Sequence, residues 1–244
     1  MTQPHQTPGN PTLRPRTQRG LFRTQRHQYG QSALGAPLFY FPADICDENT
    51  GIVMAGTHGD EVAAVVTLSC ALRSLDAGQL RHHVILAVNP DGCQLGTRSN
   101  ARGVDLNRNF ATINWKADGT VYRWNSAAEE RDVYLSTGTR AGSEPETQAL
   151  CRLIRELEPA WMVSIHEPLA CVEDPLQSPL GHWLAEGFEL PLVSELGYQT
   201  PGSFGTWCAE HQYPCITLEY PPISADVASE EYLTVMTDLL RYAP

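Results

Sequence analysis

The chain has 244 residues, of which 42% are hydrophobic, and a formal net charge of -11 at pH 7. This acidic balance argues against a nucleic-acid-binding protein, which normally carries a basic stripe. No run of about 18 or more apolar residues is present, so we expect no membrane-spanning helix. The length and the uniform composition predict a soluble protein with one large α/β core.

The first residues form a polar and basic segment, with a cluster of arginines in residues 14–26. The segment lacks the apolar core of a signal peptide, so we expect the protein to stay in the cytoplasm. Runs of charge are usually solvated. We therefore interpret residues 1–28 as a polar, basic arm on the domain surface and residues 29–244 as the single catalytic domain.

Cysteine usage agrees with a reducing compartment. The chain has seven cysteines, an odd number, and none of them has CxxC spacing. This pattern predicts mostly reduced core thiols rather than a disulfide framework. The cysteines are Cys46, Cys70, Cys93, Cys151, Cys171, Cys208 and Cys215.

Four apolar segments predict buried strands, and each runs into a reactive residue or a sharp polar turn. In open α/β sheets, ligands collect at the carboxyl ends of the strands, so these ends predict one convergent site. The segments are residues 51–56 before His58, 83–88 before Asn89, 160–165 before His166 and 215–218 before Glu219.

Helical patterns alternate with these strands. Apolar side chains from Val62 to Leu75 recur at spacings of three and four, as in an amphipathic helix. Ser143 opens a capping-box pattern for a helix that reaches about Leu157. Residues 178–190 and 229–242 predict two further helices. The alternation predicts an α/β fold with a central mixed, mainly parallel twisted sheet flanked by helices.

Residues 89–132 differ from the rest of the chain, because they are polar, weakly periodic and rich in Gly, Asn and Arg. Long irregular segments inside a compact domain are usually functional loops. We expect this segment to form a wall of the active-site pocket.

A metal site is predicted around His58 and Glu61. The H-x-x-E pattern alone is weak, since His58 could equally be a hydrogen-bonded turn residue. Its place at a strand end, with glycines that permit a tight turn, favours a metal site. Catalytic zinc sites typically have three protein ligands and one open position. His166 is the natural third ligand, because it also ends a strand.

Four other histidines are predicted to lie away from the site. His82 and His83 open their strand at the opposite edge of the sheet, so we expect both at the surface. His182 and His211 fall within predicted helices, and we expect them at the surface as well.

Several sequence blocks occur in an order that identifies a family. They span about residues 51–220, and together they resemble the zinc metallocarboxypeptidases of the carboxypeptidase A superfamily. The blocks are His58-x-x-Glu61, Asn-Pro-Asp-Gly at 89–92, Asp-Leu-Asn-Arg-Asn-Phe at 105–110, Ile-His at 165–166, Tyr-Gln-x-x-Gly-Ser at 198–203 and Thr-Leu-Glu at 217–219.

The resemblance implies the metal chemistry. One zinc ion per chain would be bound by His58, Glu61 and His166. Asp105 would lie behind His58 and fix its ring. Glu219 would act as the general base for the attacking water. The other interpretation of Glu219 is a buried acid beside a proline turn, satisfied by backbone donors.

The resemblance also implies the substrate contacts. Arg98 would polarise the scissile carbonyl, although Arg102 lies nearby in the same loop. Asn107 and Arg108 would bind the terminal carboxylate of the substrate, and Tyr198 would close over it. A site that binds the free carboxylate beside the scissile bond makes an exopeptidase.

Two positions bear on specificity. Aligned without gaps from Tyr198 to Trp207, Gly205 takes the place of the residue at the floor of the family's specificity pocket. A glycine leaves that floor empty, which suits a long side chain; alternatively, Gly205 only permits a tight turn before a helix. Asp60 stands where the pancreatic members carry arginine, so the resemblance leaves its role open.

Within the family, the chain is most similar to bacterial enzymes of cell-wall peptide recycling. This implies a small peptide partner, the murein tripeptide L-Ala-γ-D-Glu-meso-diaminopimelate, cleaved between the γ-carboxyl group of D-Glu and diaminopimelate. An N-acyl amino acid deacylase of the aspartoacylase type is the alternative, since it has a similar Gly-Thr-His-Gly-x-Glu stretch. A catalytically inactive binding module is disfavoured because every expected catalytic residue is present. The oligomeric state stays open, a homodimer included.

Overall fold

The computed structural model describes residues 23–123 and 132–243. A short 3-10 turn covers Leu106–Arg108. The strands are β1 (His27–Gln31), β2 (Pro37–Tyr40), β3 (Ile52–Met54), β4 (His83–Ile85), β5 (Thr120–Arg123), β6 (Asp132–Leu135), β7 (Met162–His166), β8 (Cys171–Glu173), β9 (Leu192–Val193) and β10 (Cys215–Glu219). The helices are α1 (Val62–Ser74), α2 (Pro90–Leu95), α3 (Pro145–Leu157), α4 (Pro179–Gly187), α5 (Phe204–Glu210) and α6 (Ala225–Leu239).

The central sheet has six strands in the order β4-β3-β7-β10-β8-β9. Strands β4, β3, β7 and β10 are mutually parallel, whereas β8 is antiparallel to β10 and parallel to β9. Two further pairs, β1-β2 and β5-β6, form separate antiparallel sheets. The prediction of a mixed, mainly parallel sheet is confirmed, and its four parallel strands are the four predicted apolar segments.

Helices cover both faces of this sheet. Successive side chains of a strand point to opposite faces of the sheet. In β3, Val53 packs in a hydrophobic core with α1, α4 and α6. Ile52 and Met54 pack on the other face, in a second core with α3 and α5. Strands that are buried on both faces appear in the sequence as continuous apolar runs. For this reason they could be located from the sequence.

The helix positions are largely as predicted, but their first turns differ. Val62, the first residue of the apolar pattern, is 47% exposed, because it opens α1 on its outer side. The capping-box prediction at Ser143 is also wrong. Its hydroxyl donates to the Glu144 carboxylate, and α3 has no side-chain cap. Helix α6 begins four residues earlier than predicted, because Ser224 accepts a hydrogen bond from the Val227 amide and caps it.

His82 and His83 are buried, so the prediction that both lie at the surface is wrong. Strand β4 lies at one end of the strand order, but this edge of the sheet is covered, because Phe41 forms an isolated antiparallel bridge with Val84 of β4. His82 Nδ1 accepts a hydrogen bond from the Gly51 amide, and its Nε2 lies 2.9 Å from the Tyr242 carbonyl. Burial lowers the pKa of His82 to about 4, so it is a neutral, hydrogen-bonded core residue. His182 and His211 are exposed, as predicted.

Residues 23–26 lie along the domain surface. Arg23 forms an ion pair with Asp44 at 2.6 Å, and the Arg26 guanidinium lies 4.6 Å from the centre of the Phe39 ring. The predicted arm before residue 23 lies outside the described residues, and β1 begins at His27. All seven cysteines are unpaired thiols. No helix in the described parts of the chain has the length and apolar character needed to cross a membrane.

Candidate active site

The site lies where three parallel strands end side by side. Strand β7 pairs with β3 on one side and with β10 on the other, so all three carboxyl ends reach the same edge of the sheet. His166 is the last residue of β7, and it is the register partner of Glu219 at the end of β10. His58 follows β3 by four residues. The predicted convergence is confirmed for these three strand ends but not for the fourth, because Asn89, which follows β4, caps α2 and does not line the cavity described below.

Glycines allow the turn that carries His58. Gly56 adopts a φ of 67°, in the left-handed region that favours glycine. A Cβ atom at Gly59 would lie 2.0 Å from the carbonyl carbon of Gly92, so only glycine fits against the first turn of α2. Asn89 caps that helix by accepting a hydrogen bond from the Gly92 amide at 2.9 Å.

Three buried side chains converge on one point. Glu61 Oε1 lies 2.6 Å from His58 Nδ1, and Glu61 Oε2 lies 2.9 Å from His166 Nδ1. The two Nδ1 atoms face each other at 3.2 Å. Two imidazole nitrogens and a carboxylate in such a group can hold a metal ion, and this donor set is one that zinc prefers.

The electrostatics of the cluster favour a cation. Burial and the charge of Arg98 lower the pKa of His58, but the carboxylates of Glu61 and Asp105 outweigh them and raise it to about 9. Positive charge at His58 is therefore stabilised, and either a proton or a metal ion can supply it. The residues present thus fit the zinc ion that the resemblance implies.

Glu61 is free to face the two histidines because another residue takes its structural role. Glu61 occupies the N-cap position of α1, but its side chain makes no capping hydrogen bond. Instead, Glu167 Oε1 accepts a hydrogen bond from the Ala64 amide at 3.1 Å. Burial raises the pKa of Glu167 to about 7.

Asp105 lies behind His58. Its Oδ1 atom is 3.2 Å from His58 Nε2, and its Oδ2 atom accepts a hydrogen bond from Arg98 Nε at 3.3 Å. Burial alone would raise the pKa of Asp105, but His58 and Arg98 hold it well below its usual range. An ionised Asp105 accepts a hydrogen bond from His58 Nε2–H, so that in the neutral ring the Nδ1 lone pair is directed at the cluster.

Glu219 is buried at the end of β10, and its Oε2 atom accepts a hydrogen bond from the Leu169 amide at 3.3 Å. Burial raises the pKa of Glu219, and the negative charge of Glu61 raises it further. The side chain lines the cavity described below. A carboxylate with a raised proton affinity that faces a cavity can act as a base.

These residues open onto a cavity of 390 Å³. The predicted wall is confirmed for the described part of residues 89–132, which contributes Arg98, Asn107, Arg108 and Tyr122. His166 and Asp105 are buried and do not line the cavity. The predicted site residues that line the cavity are His58, Glu61, Arg98, Asn107, Arg108, Tyr198, Gly205 and Glu219.

The two arginines of the loop occupy different places. Arg98 lines the cavity and donates a hydrogen bond to Glu61 Oε1 at 3.1 Å. The Arg102 side chain is 56% exposed and lies 3.5 Å from the Glu144 carboxylate. Asp60, whose role the sequence left open, accepts a hydrogen bond from the Tyr122 hydroxyl at 2.7 Å. The Arg98 guanidinium in turn lies over the Tyr122 ring.

Comparison with known proteins decides the family. The family profile described as zinc carboxypeptidase, peptidase M14, matches residues 23–170. The chain belongs to the zinc carboxypeptidase family. The site described above is therefore placed in a zinc carboxypeptidase fold.

Two relatives of this zinc carboxypeptidase span nearly its whole length. It is 64% identical over 231 residues to murein peptide amidase A of Escherichia coli K12, covering 95% of this chain and 96% of that protein. It is 54% identical over 233 residues to murein peptide amidase A of Vibrio campbellii, covering 96% and 94%. The crystal structure of murein-tripeptide amidase from Escherichia coli O157 superimposes with a TM-score of 0.90 at 64% identity, covering 95% and 98%.

Gly205 of this zinc carboxypeptidase leaves open space in the cavity. A Cβ atom at Gly205 would meet no atom within 4 Å, and the residue lies inside α5 rather than in a turn. The turn before α5 is made at Gly202, whose φ is 73° and where a Cβ atom would lie 2.4 Å from the Arg108 carbonyl oxygen. The turn requires glycine at Gly202 and not at Gly205.

Four acidic or aromatic residues of the cavity wall were not predicted from the sequence, namely Glu167, Glu173, Glu195 and Tyr122. Glu173 ends β8, which has three residues and is too short to leave a readable period. Tyr122 lies in a segment read only as an irregular loop. The one local signal was the position of Glu167 directly after the predicted ligand His166.

Proposed function

We propose that this chain is a zinc-dependent amidase of the carboxypeptidase type that hydrolyses the bond between the γ-carboxyl group of D-Glu and meso-diaminopimelate in murein tripeptide. The reaction would serve the recycling of cell-wall peptides. The observation that carries the proposal is the cluster of His58, Glu61 and His166, with Glu219 beside His166 at the strand ends and His58, Glu61 and Glu219 lining the 390 Å³ cavity. The near full-length similarity to murein peptide amidase A supports the choice of substrate.

His58, Glu61 and His166 would hold one zinc ion per chain, with His58 oriented by Asp105. A zinc ion held there supplies Lewis acidity, which polarises an amide carbonyl and lowers the pKa of a water molecule. Glu219 accepts the proton of the attacking water and returns it to the leaving amine. Its burial suits this role, because a raised pKa makes the carboxylate a stronger base.

The rest of the wall positions the substrate. Arg98 donates to the carbonyl oxygen of the scissile amide. Asn107 Oδ1 is engaged by the Phe204 amide at 2.8 Å, which leaves the Asn107 amide nitrogen as a donor. Asn107 and Arg108 together bind the carboxylate next to the scissile bond, and a guanidinium does so with fixed geometry. Tyr198 is 56% exposed at the rim, where it can close over the bound peptide.

One assay separates this proposal from its alternatives. The zinc-loaded protein is tested side by side on murein tripeptide and on a series of N-acyl amino acids. We expect a higher kcat/KM for the tripeptide. Preference for the N-acyl amino acids would indicate a deacylase of the aspartoacylase type. Binding of the tripeptide without turnover would indicate an inactive binding module.

We further propose that the enzyme works in the reducing cytoplasm, because all seven of its cysteines are unpaired. A thiol reductant should therefore leave the activity unchanged, whereas a metal chelator should abolish it and added zinc should restore it. Both are measured as tripeptide hydrolysis. Loss of activity in reductant alone, with zinc retained, would contradict the proposed compartment.

Gly205 gives a prediction on specificity. Gly205→Asp fills open space with a negative charge, which repels the distal carboxylate of diaminopimelate but attracts a lone ammonium. We expect kcat/KM for the diaminopimelate peptide to fall on the order of 10²-fold more than for a lysine-ended analogue, because like charges in contact cost several kcal/mol. Equal losses on both peptides, with an unchanged circular dichroism spectrum, would place the pocket floor elsewhere.

A further inference from the structure

The cavity has an acidic side chain, Glu173, for which the proposed mechanism has no use. Glu173 ends β8, and its register partner on β10 is Thr217. Thr217 precedes Glu219 by two residues, so both side chains lie on the same face of β10. The distance between such positions along a strand is roughly 7 Å. Glu173 therefore lies about one side-chain length from the reaction centre, and it lines the same cavity.

The carboxylate of Glu173 is half-buried and hydrogen-bonded. It accepts hydrogen bonds from the Thr217 hydroxyl and the Leu196 amide; burial raises its pKa, and the charge of His166 lowers it in part. Among residues 23–123 and 132–243, no lysine or arginine forms an ion pair with it. A half-buried carboxylate in this state is stabilised by a cation that enters the cavity, since burial of an unpaired charge is costly.

The space in front of Glu173 suits a long side chain. Gly205 adds no side chain to the floor of the cavity, and a Cβ atom there would meet nothing within 4 Å. In the proposed mechanism, Arg98 and Arg108 act on the carbonyl and on the terminal carboxylate. The carboxylate of Glu173 therefore remains to complement an ammonium group in this space.

We infer that Glu173 binds the ammonium group at the far end of the released residue and so selects substrates whose last residue carries a side-chain amine. The inference rests on the proposed function, because it assigns a residue to the distal centre of diaminopimelate. Strand β8 supplies the acid, and Gly205 on α5 supplies the depth. An acid at position 205 is then unnecessary for recognition of an amine.

The test compares three peptides of the form L-Ala-γ-D-Glu-X, where X is meso-diaminopimelate, L-lysine or L-norleucine. The zinc-loaded wild-type enzyme is compared with Glu173→Gln, which removes the charge and keeps the shape. Glu195→Gln is the matched control, because it removes the same charge from the exposed edge of the cavity. We expect Glu173→Gln to lower kcat/KM for the two amine-bearing peptides by roughly 30-fold or more, mainly through KM. The norleucine peptide should change by less than about threefold, as should all three peptides with Glu195→Gln.

Several results would overturn the inference. Equal losses on all three peptides, with normal zinc content and thermal unfolding, would mean that Glu173 has only a structural role. Equal effects of Glu173→Gln and Glu195→Gln would indicate the general field of the cavity rather than contact. Wild-type enzyme that cleaves the norleucine peptide as well as the lysine peptide would also exclude selection for an amine, whatever the variant does. Cleavage of none of the three peptides by wild-type enzyme would instead remove the proposed function, and this assignment with it.

Discussion

Glu219→Gln is expected to lower kcat on murein tripeptide by about 10²–10⁴-fold, the usual contribution of a proton-transfer group. Glutamine keeps the size of the side chain and an oxygen that can accept the hydrogen bond from the Leu169 amide. It cannot take a proton from water at neutral pH. Zinc content and KM should therefore stay close to those of the wild type.

The measurement is steady-state hydrolysis of the tripeptide, with zinc determined by elemental analysis on the same preparations. Glu195→Gln serves as the control, because it makes the same substitution in the same cavity at an exposed position. A Glu219→Gln variant with a near-normal rate would remove Glu219 from the mechanism. If Glu219→Gln loses zinc in parallel with activity, the lower activity would reflect the missing metal ion. Glu219 would then have a structural role rather than that of a base.

The convergence of the site could be predicted from the sequence because of how parallel strands are built. Strands β3 and β7 are buried along their whole length and β10 over most of it, so each is a mainly apolar run that ends at or close to a reactive residue. Parallel strands also end at the same edge of the sheet. His58, His166 and Glu219 could therefore be brought together without knowledge of the strand order.

The predictions for His82 and His83 were wrong because residues far away in the sequence determine the environment of their side chains. His82 and His83 lie at the start of β4, and nothing in the local sequence indicates that the carbonyl of Tyr242 and the amides of Gly51 and Ala43 meet their rings. Hydrogen bonds between residues that are far apart in sequence leave no periodic signal. A buried histidine with satisfied nitrogens looks the same in sequence as an exposed one.

The same limit explains the cavity residues that were missed. Glu167 caps α1 across more than a hundred residues of sequence, and Glu173 lies beside Thr217 only because β8 turns back antiparallel to β10. A strand of three residues has no readable period. The cavity wall around Glu167 and Glu173 is therefore less predictable from the sequence than the proposed metal site, where His58 and His166 lie at or just after the end of an apolar strand.

The metal site itself gives the last prediction. His58→Ala and His166→Ala should each lose zinc, because each removes one of three ligands and leaves two, one fewer than catalytic zinc sites typically use. Asp105→Asn is the graded comparison, since it keeps the three ligands but weakens the hold on the His58 ring. Changes of this kind typically cost about 10–100-fold in metal affinity. His182→Ala, at an exposed histidine on α4, is the matched control and should retain one zinc per chain.

Zinc per chain, measured after dialysis against a weak chelator, is the direct readout and does not depend on activity. The fold should persist in His58→Ala and His166→Ala, because neither change alters the hydrophobic cores on the two faces of the sheet. Circular dichroism spectra test this. In His166→Ala, Glu61 still contacts His58 and Arg98, so its charge stays compensated. Full zinc occupancy in His58→Ala or in His166→Ala would rule out this ligand assignment. The zinc content should be highest in His182→Ala, lower in Asp105→Asn and lowest in His58→Ala and His166→Ala. This order is expected only if the ion is held at the point where His58, Glu61 and His166 meet.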